Sequence, residues 1–142
     1  MVKLYSIGAL TADCYEGAKA DAKVVNNTFG TWVDGKFTVG AKGGFMVDTI
    51  VVGDDKYLDN VEFEAGKDLR VVNLAKVVGK KIQASPSSIV GTPQVGKYLQ
   101  ADADGKLKAI TTKPSASDEI YFVVDEIIDF DGKGVLATIA LA

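Results

Sequence analysis

The stretch "IYFVVDEIIDFDGKGVLATIAL", residues 120–141, predicts a β-hairpin near the carboxyl end of the chain. Two runs rich in valine, isoleucine and aromatic residues, the types that favour strands, flank the dipeptide Asp131-Gly132. Asp-Gly between two such runs is typical of a two-residue type I′ turn, because both residues tolerate a positive φ. The chain therefore ends in two paired antiparallel strands.

The turn also fixes which residues of this hairpin lie opposite one another. The expected pairs are Ile128 with Val135, Val124 with Ile139, and Phe122 with Leu141. One face is then apolar, except that Glu126 falls on it and Ile127 falls on the other face. A β-bulge near Asp125–Ile127 restores the alternation. The alternative is that both faces are partly covered, for example by a neighbouring subunit.

The tripeptide Asp-Gly-Lys occurs three times, at 34–36, 104–106 and 131–133. A calcium loop needs oxygen ligands at its first, third and fifth positions and a glutamate at its twelfth. Lysine occupies the fifth position of the loops that would begin at Asp102 and Asp129, and neither has the glutamate. The three sites are predicted to be turns, and no metal site is expected.

The rest of the chain is divided into short segments by 15 glycines and 3 prolines. This pattern predicts many strands and few long helices. The predicted strands are 2–6, 22–26, 28–33, 36–39, 44–52, 57–63, 80–84, 97–101, 106–111, 119–130 and 133–141. We expect a mainly β fold: a compact antiparallel β-barrel or β-sandwich with a C-terminal β-hairpin and at most one or two short helices.

A chain of 142 residues is expected to form a single domain, 1–142. Residues 8–21 have weak periodicity, which leaves a loose arm over residues 1–21 as an alternative to ordered structure. In "LRVVNLAKVVGKK", Asn73 is placed to cap a short helix over 74–78, with Gly79 as its C-terminal residue. A strand is the alternative here, because the nearby valines favour one. Residues 85–96, "SPSSIVGTPQVG", are predicted to form a loop.

Composition excludes several classes of function. The net charge is −3 and no basic block is present, so we expect no nucleic-acid partner. The start of the chain is too interrupted for a signal peptide or a membrane span, and we expect no membrane partner. The single cysteine, Cys14, cannot form an internal disulfide, which suits folding in a reducing cytoplasm. The chain has no histidine to activate Cys14, which is therefore expected to be a small apolar residue.

Catalytic constellations are not found in the sequence. The adjacent carboxylates Asp54-Asp55, Asp118-Glu119 and Asp125-Glu126 point to opposite faces if they lie on strands. Glu126 is the one candidate acid or base, on the apolar face, and an exposed position beside a bulge is the more ordinary interpretation. We expect no enzyme activity and no catalytic, cofactor-binding or metal-binding residues. The aromatic residues Phe29, Trp32 and Phe37 are expected in the core or at a subunit contact.

Three segments resemble the small head decoration, or cement, proteins of tailed bacteriophages. They are "VEFEAGKDLRVVNLAKVVGKKIQAS", "VGKYLQADADGKLKAIT" and "IYFVVDEIIDFDGKGVLATIALA", within residues 44–142. The resemblance lies in the AGK-x-LR segment, the GKYL…GKL hairpin and the final hairpin; residues 1–43 match less well.

The resemblance implies a structural virion protein on the outer surface of an icosahedral capsid. Its partners would be the major capsid protein and itself, as a homotrimer at three-fold and quasi-three-fold positions, where it stabilises the shell. The N-terminal segment and the loop 85–96 are the candidate docking elements. Two alternatives stay open: a phage tail or head-fibre component, and a small-molecule-binding β-barrel with Glu126 facing the ligand.

Overall fold

The computed structural model describes residues 2–4, 12–49, 61–128 and 134–142. It confirms the prediction of a mainly β fold. The strands are β1 (Val2–Leu4), β2 (Tyr15–Ala20), β3 (Val24–Val25), β4 (Phe29–Val33), β5 (Lys36–Val39), β6 (Phe45–Val47), β7 (Glu62–Phe63), β8 (Asp68–Asn73), β9 (Lys81–Ala84), β10 (Ile89–Val90), β11 (Tyr98–Ala101), β12 (Leu107–Ile110), β13 (Ile120–Ile128) and β14 (Gly134–Leu141). Short 3-10 turns are formed by Ala12–Cys14, Leu74–Lys76 and Pro86–Ser88.

Two sheets account for most of these strands. Seven strands form one sheet, here called the large sheet, in the order β1-β9-β14-β13-β11-β12-β10. Five strands, β2-β5-β4-β6-β8, close into a barrel, and β3 pairs separately with β7. The pairs are antiparallel except for β2 with β5 and β10 with β12, which are parallel. The fold therefore combines a closed barrel with an open sheet.

The barrel is filled by apolar side chains. The strands alternate, so that neighbouring residues such as Val71 and Val72 in β8 point to opposite sides of the barrel wall. The buried residues on the inner side, together with Val24 of β3, are Ala18, Ala20, Phe37, Val47, Leu69 and Val71. Trp32 packs against this cluster, stacks on Phe45, and donates a hydrogen bond from Nε1 to the carbonyl oxygen of Gly17.

The outer wall of the barrel shares a second core with the large sheet. Phe29 of β4 and Met46 of β6 lie in one cluster with Ile82, Phe122 and other residues of the large sheet. The rings of Phe29 and Phe122 meet edge to face, with centroids 5.6 Å apart. Both side chains are almost fully buried. The barrel and the large sheet are therefore joined through a single apolar core.

The Asp-Gly turn at residues 34–36 is confirmed as a type I′ hairpin turn. Asp34 and Gly35 have φ values of 50° and 79°, and Val33 pairs with Lys36 across the two-residue loop. The turn at residues 104–106 belongs to a longer loop, because the last strand pair before it is Ala101 with Leu107.

The register predicted for the C-terminal hairpin is wrong, although its two strands and its bulge are confirmed. Ile128 pairs with Gly134, Val124 with Ala137 and Phe122 with Ile139. Five residues separate Ile128 from Gly134, and the proposed turn at Asp131-Gly132 lies outside the described residues. A β-bulge between Val124 and Glu126 shifts the register again and turns Ile127 toward the core.

Two further predictions need correction. A loose arm over residues 1–21 is wrong for Tyr15–Ala20, which forms β2 and closes the barrel against β8 and β5. The short helix over 74–78 is a 3-10 turn of only Leu74–Lys76, preceded by a strand that ends at Asn73. The predicted cap is present, since Asn73 Oδ1 accepts a hydrogen bond from the amide of Ala75.

Candidate functional site

The side of the large sheet that faces away from the shared core, here called the outer face, carries apolar side chains with polar side chains between them. Register places Ala140 beside Tyr121 and Thr138 beside Val123, and Val123 is in turn paired with Tyr98. Its apolar members are Tyr98, Ile110, Tyr121, Val123, Ile128, Leu136 and Ala140. They are half-buried, apart from Tyr121, which is 5% exposed.

Two tyrosine rings meet on this face, and polar side chains lie among its apolar ones. The rings of Tyr98 and Tyr121 meet edge to face, with centroids 5.8 Å apart. The polar residues on the same face are Lys81, Gln83, Gln100, Lys108, Asp125 and Glu126. Tyrosine and aliphatic side chains mixed with polar ones are also found in protein–protein contacts.

The bulge in β13 places Asp125 in a small polar cluster on the outer face. Asp125 Oδ2 accepts hydrogen bonds from Thr138 Oγ1 at 2.6 Å and from Lys81 Nζ at 2.9 Å. Burial raises the pKa of Asp125, but the hydrogen bonds from Lys81 and Thr138 outweigh that effect and leave the pKa below its usual range. Asp125 is therefore a carboxylate held ionised for structural pairing.

This pairing predicts a pH-dependent stability difference. Asp125→Asn is expected to lower the free energy of unfolding at pH 7 by at most about 1 kcal/mol, since the ion pair is partly exposed. Because Asp125 has a lower pKa in the folded protein than the pKa of about 3.9 that it has in the unfolded chain, its ionised carboxylate stabilises the fold at pH values above about 3.9. This stabilisation is lost as the pH falls through the pKa of the folded state. The difference between the two proteins should therefore disappear in acid, as measured by urea unfolding from pH 7 to pH 2.

Glu126→Gln serves as the control, because Glu126 is exposed on the same face and has no ion pair with any residue that the structure describes. This variant should stay within about 0.5 kcal/mol of the parent protein at every pH. A stability difference for Asp125→Asn that persists unchanged at pH 2 would contradict the role assigned to its carboxylate.

Glu126 itself does not occupy the position expected of a buried acid. The bulge sets it opposite Leu136 on the outer face, where it is exposed. The barrel interior contains the apolar side chains described above, and Glu126 belongs to a strand of the other sheet. The alternative of a ligand inside the barrel therefore loses the one residue that suggested it.

The adjacent carboxylates Asp118 and Glu119 do not point toward a common site. Glu119 accepts hydrogen bonds from Lys42 and Gln100, and the bond from Lys42 lowers its pKa. This contact ties a loop after the barrel strand β5 to the large sheet. The neighbouring Asp118 has a positive φ of 67° and turns the chain. Asp54-Asp55 lies outside the described residues.

Cys14 and Asp102, two further residues considered in the sequence, have structural roles. Cys14 is buried in the shared core, and burial raises the pKa of its thiol. Asp102 Oδ1 accepts hydrogen bonds from the amides of Asp104 and Lys106, which stabilises the β11–β12 turn. Within the described ranges, no group of three or more acidic or cysteine side chains could hold a metal ion. No helix in that part of the chain could cross a membrane.

A polar cleft of about 470 Å³ lies between β3, β7, the turn Pro86–Ser88 and the β11–β12 turn. Its ionisable side chains include Glu62, which is paired with Lys23 at 2.9 Å. The amide of Asn26 is used to join two loops, since it donates to the carbonyl oxygen of Thr49 and accepts from the Thr49 amide. Two polar side chains of the cleft, Glu62 and Asn26, are therefore engaged in contacts within the fold.

Comparison of the chain with protein-family models, with curated proteins and with solved structures finds no match.

Proposed function

We propose that this protein is a structural virion component that binds the outer surface of an icosahedral phage capsid and stabilises the shell. The sequence resemblance to head decoration proteins suggests the partner, the major capsid protein, and a homotrimer at three-fold and quasi-three-fold positions. The mainly β fold is the architecture that this resemblance implies.

The observation that carries the proposal is the outer face of the large sheet. Tyr98 and Val123 lie on it as paired, half-buried apolar side chains, and Leu136 lies on it beside Glu126 and Gln83. Tyrosine and aliphatic side chains mixed with polar ones are common in contacts between proteins. Adhesion needs such a surface and no reacting group.

Binding several capsid subunits at once would provide the stabilisation. An ordinary contact buries about 800 Å² per partner. A trimer that engages several subunits links those contacts, which raises the effective affinity by roughly 10²–10⁴. Because the protein binds only the assembled lattice, its binding free energy adds to the stability of the lattice that it binds.

Co-sedimentation with undecorated capsids tests the proposal. We expect saturable binding to expanded shells, none to unexpanded shells, and a bound or native mass that is three times 15.0 kDa per site. Protein that stays in the supernatant with expanded shells would contradict the proposal. Binding to purified tails alone would instead indicate a tail component.

A further inference from the structure

We draw no further inference here: the strongest candidate, the outer face of the large sheet around Tyr98 and Tyr121, belongs to the site already described, and nothing in the structure shows which partner covers it.

Discussion

Replacing Phe29 with alanine is expected to lower the free energy of unfolding by about 3–5 kcal/mol. This is the usual range for deleting a buried phenylalanine side chain, because the lost burial is joined by a cavity that the surroundings fill only partly. Phe29 is completely buried and its ring contacts Phe122 across the junction of the barrel and the large sheet. A loss of this size is a large fraction of the 5–15 kcal/mol that holds a typical domain folded.

Denaturant unfolding measures this loss, and Phe63→Ala is the matched control. Phe63 is only half-buried, at the end of the two-residue strand β7, so its removal should cost clearly less. Phe122→Ala should resemble Phe29→Ala. The double variant should lose about 0.5–1.5 kcal/mol less than the sum of the two single losses, because each single variant already removes the interaction between the two rings. A loss below about 1 kcal/mol for Phe29→Ala would show that the two sheets do not share a core.

The same experiment reports whether the two sheets unfold together. Trp32 is the only tryptophan and lies in the barrel, whereas Tyr98 and Tyr121 lie on the large sheet. Tryptophan fluorescence therefore reports on the barrel, whereas near-ultraviolet tyrosine dichroism includes the large sheet together with Tyr15 of β2. Because one core joins them, both signals should give one midpoint, as in a two-state transition.

The sequence predicts the strands best where the local preference for β structure agrees with the pairing and burial of the segment in the fold. The Asp34-Gly35 turn has a backbone conformation that few dipeptides adopt, and the strands on both sides of it are rich in β-forming residues. Strand β2, "YEGAKA", has little intrinsic preference for a strand. It forms because pairing with β8 closes the barrel and buries Ala18 and Ala20, a constraint that the segment alone does not reveal.

The sides of β13 and β14 follow from the sequence, whereas the pairing of Tyr98 with Val123 does not. The observed partners of Phe122 and Val124 differ from the predicted ones by two residues, so the same residues of both strands face the core. Once Val124 is paired with Ala137, the alternation places Val123, Tyr121 and Tyr98 together. Residues 85–96, in contrast, are already a candidate docking element in the sequence, where two prolines predict a loop.

Replacing Gly30 with alanine is expected to destabilise the barrel by about 3 kcal/mol, or to prevent folding. A Cβ atom at this position would lie 2.7 Å from the ring of Phe37 and closer still to the carbonyl oxygen of Thr38. Real Cβ atoms do not approach other atoms so closely, and the obstacle includes backbone of the paired strand β5. Overpacking in a filled interior typically costs about 1–3 kcal/mol, and backbone obstacles place this site at the upper end.

Gly40→Ala is the control, because a Cβ at Gly40 would meet no atom within 4 Å and the residue has no positive φ. That substitution should leave the unfolding midpoint unchanged or raise it slightly, since alanine restricts the unfolded chain. Phe37→Leu combined with Gly30→Ala separates the two obstacles. It removes the contact with the aromatic ring but leaves the carbonyl oxygen of Thr38 in place. Only part of the lost stability should therefore be recovered. Full recovery would show that the backbone of β5 can move away and that only the ring of Phe37 excludes a side chain at position 30.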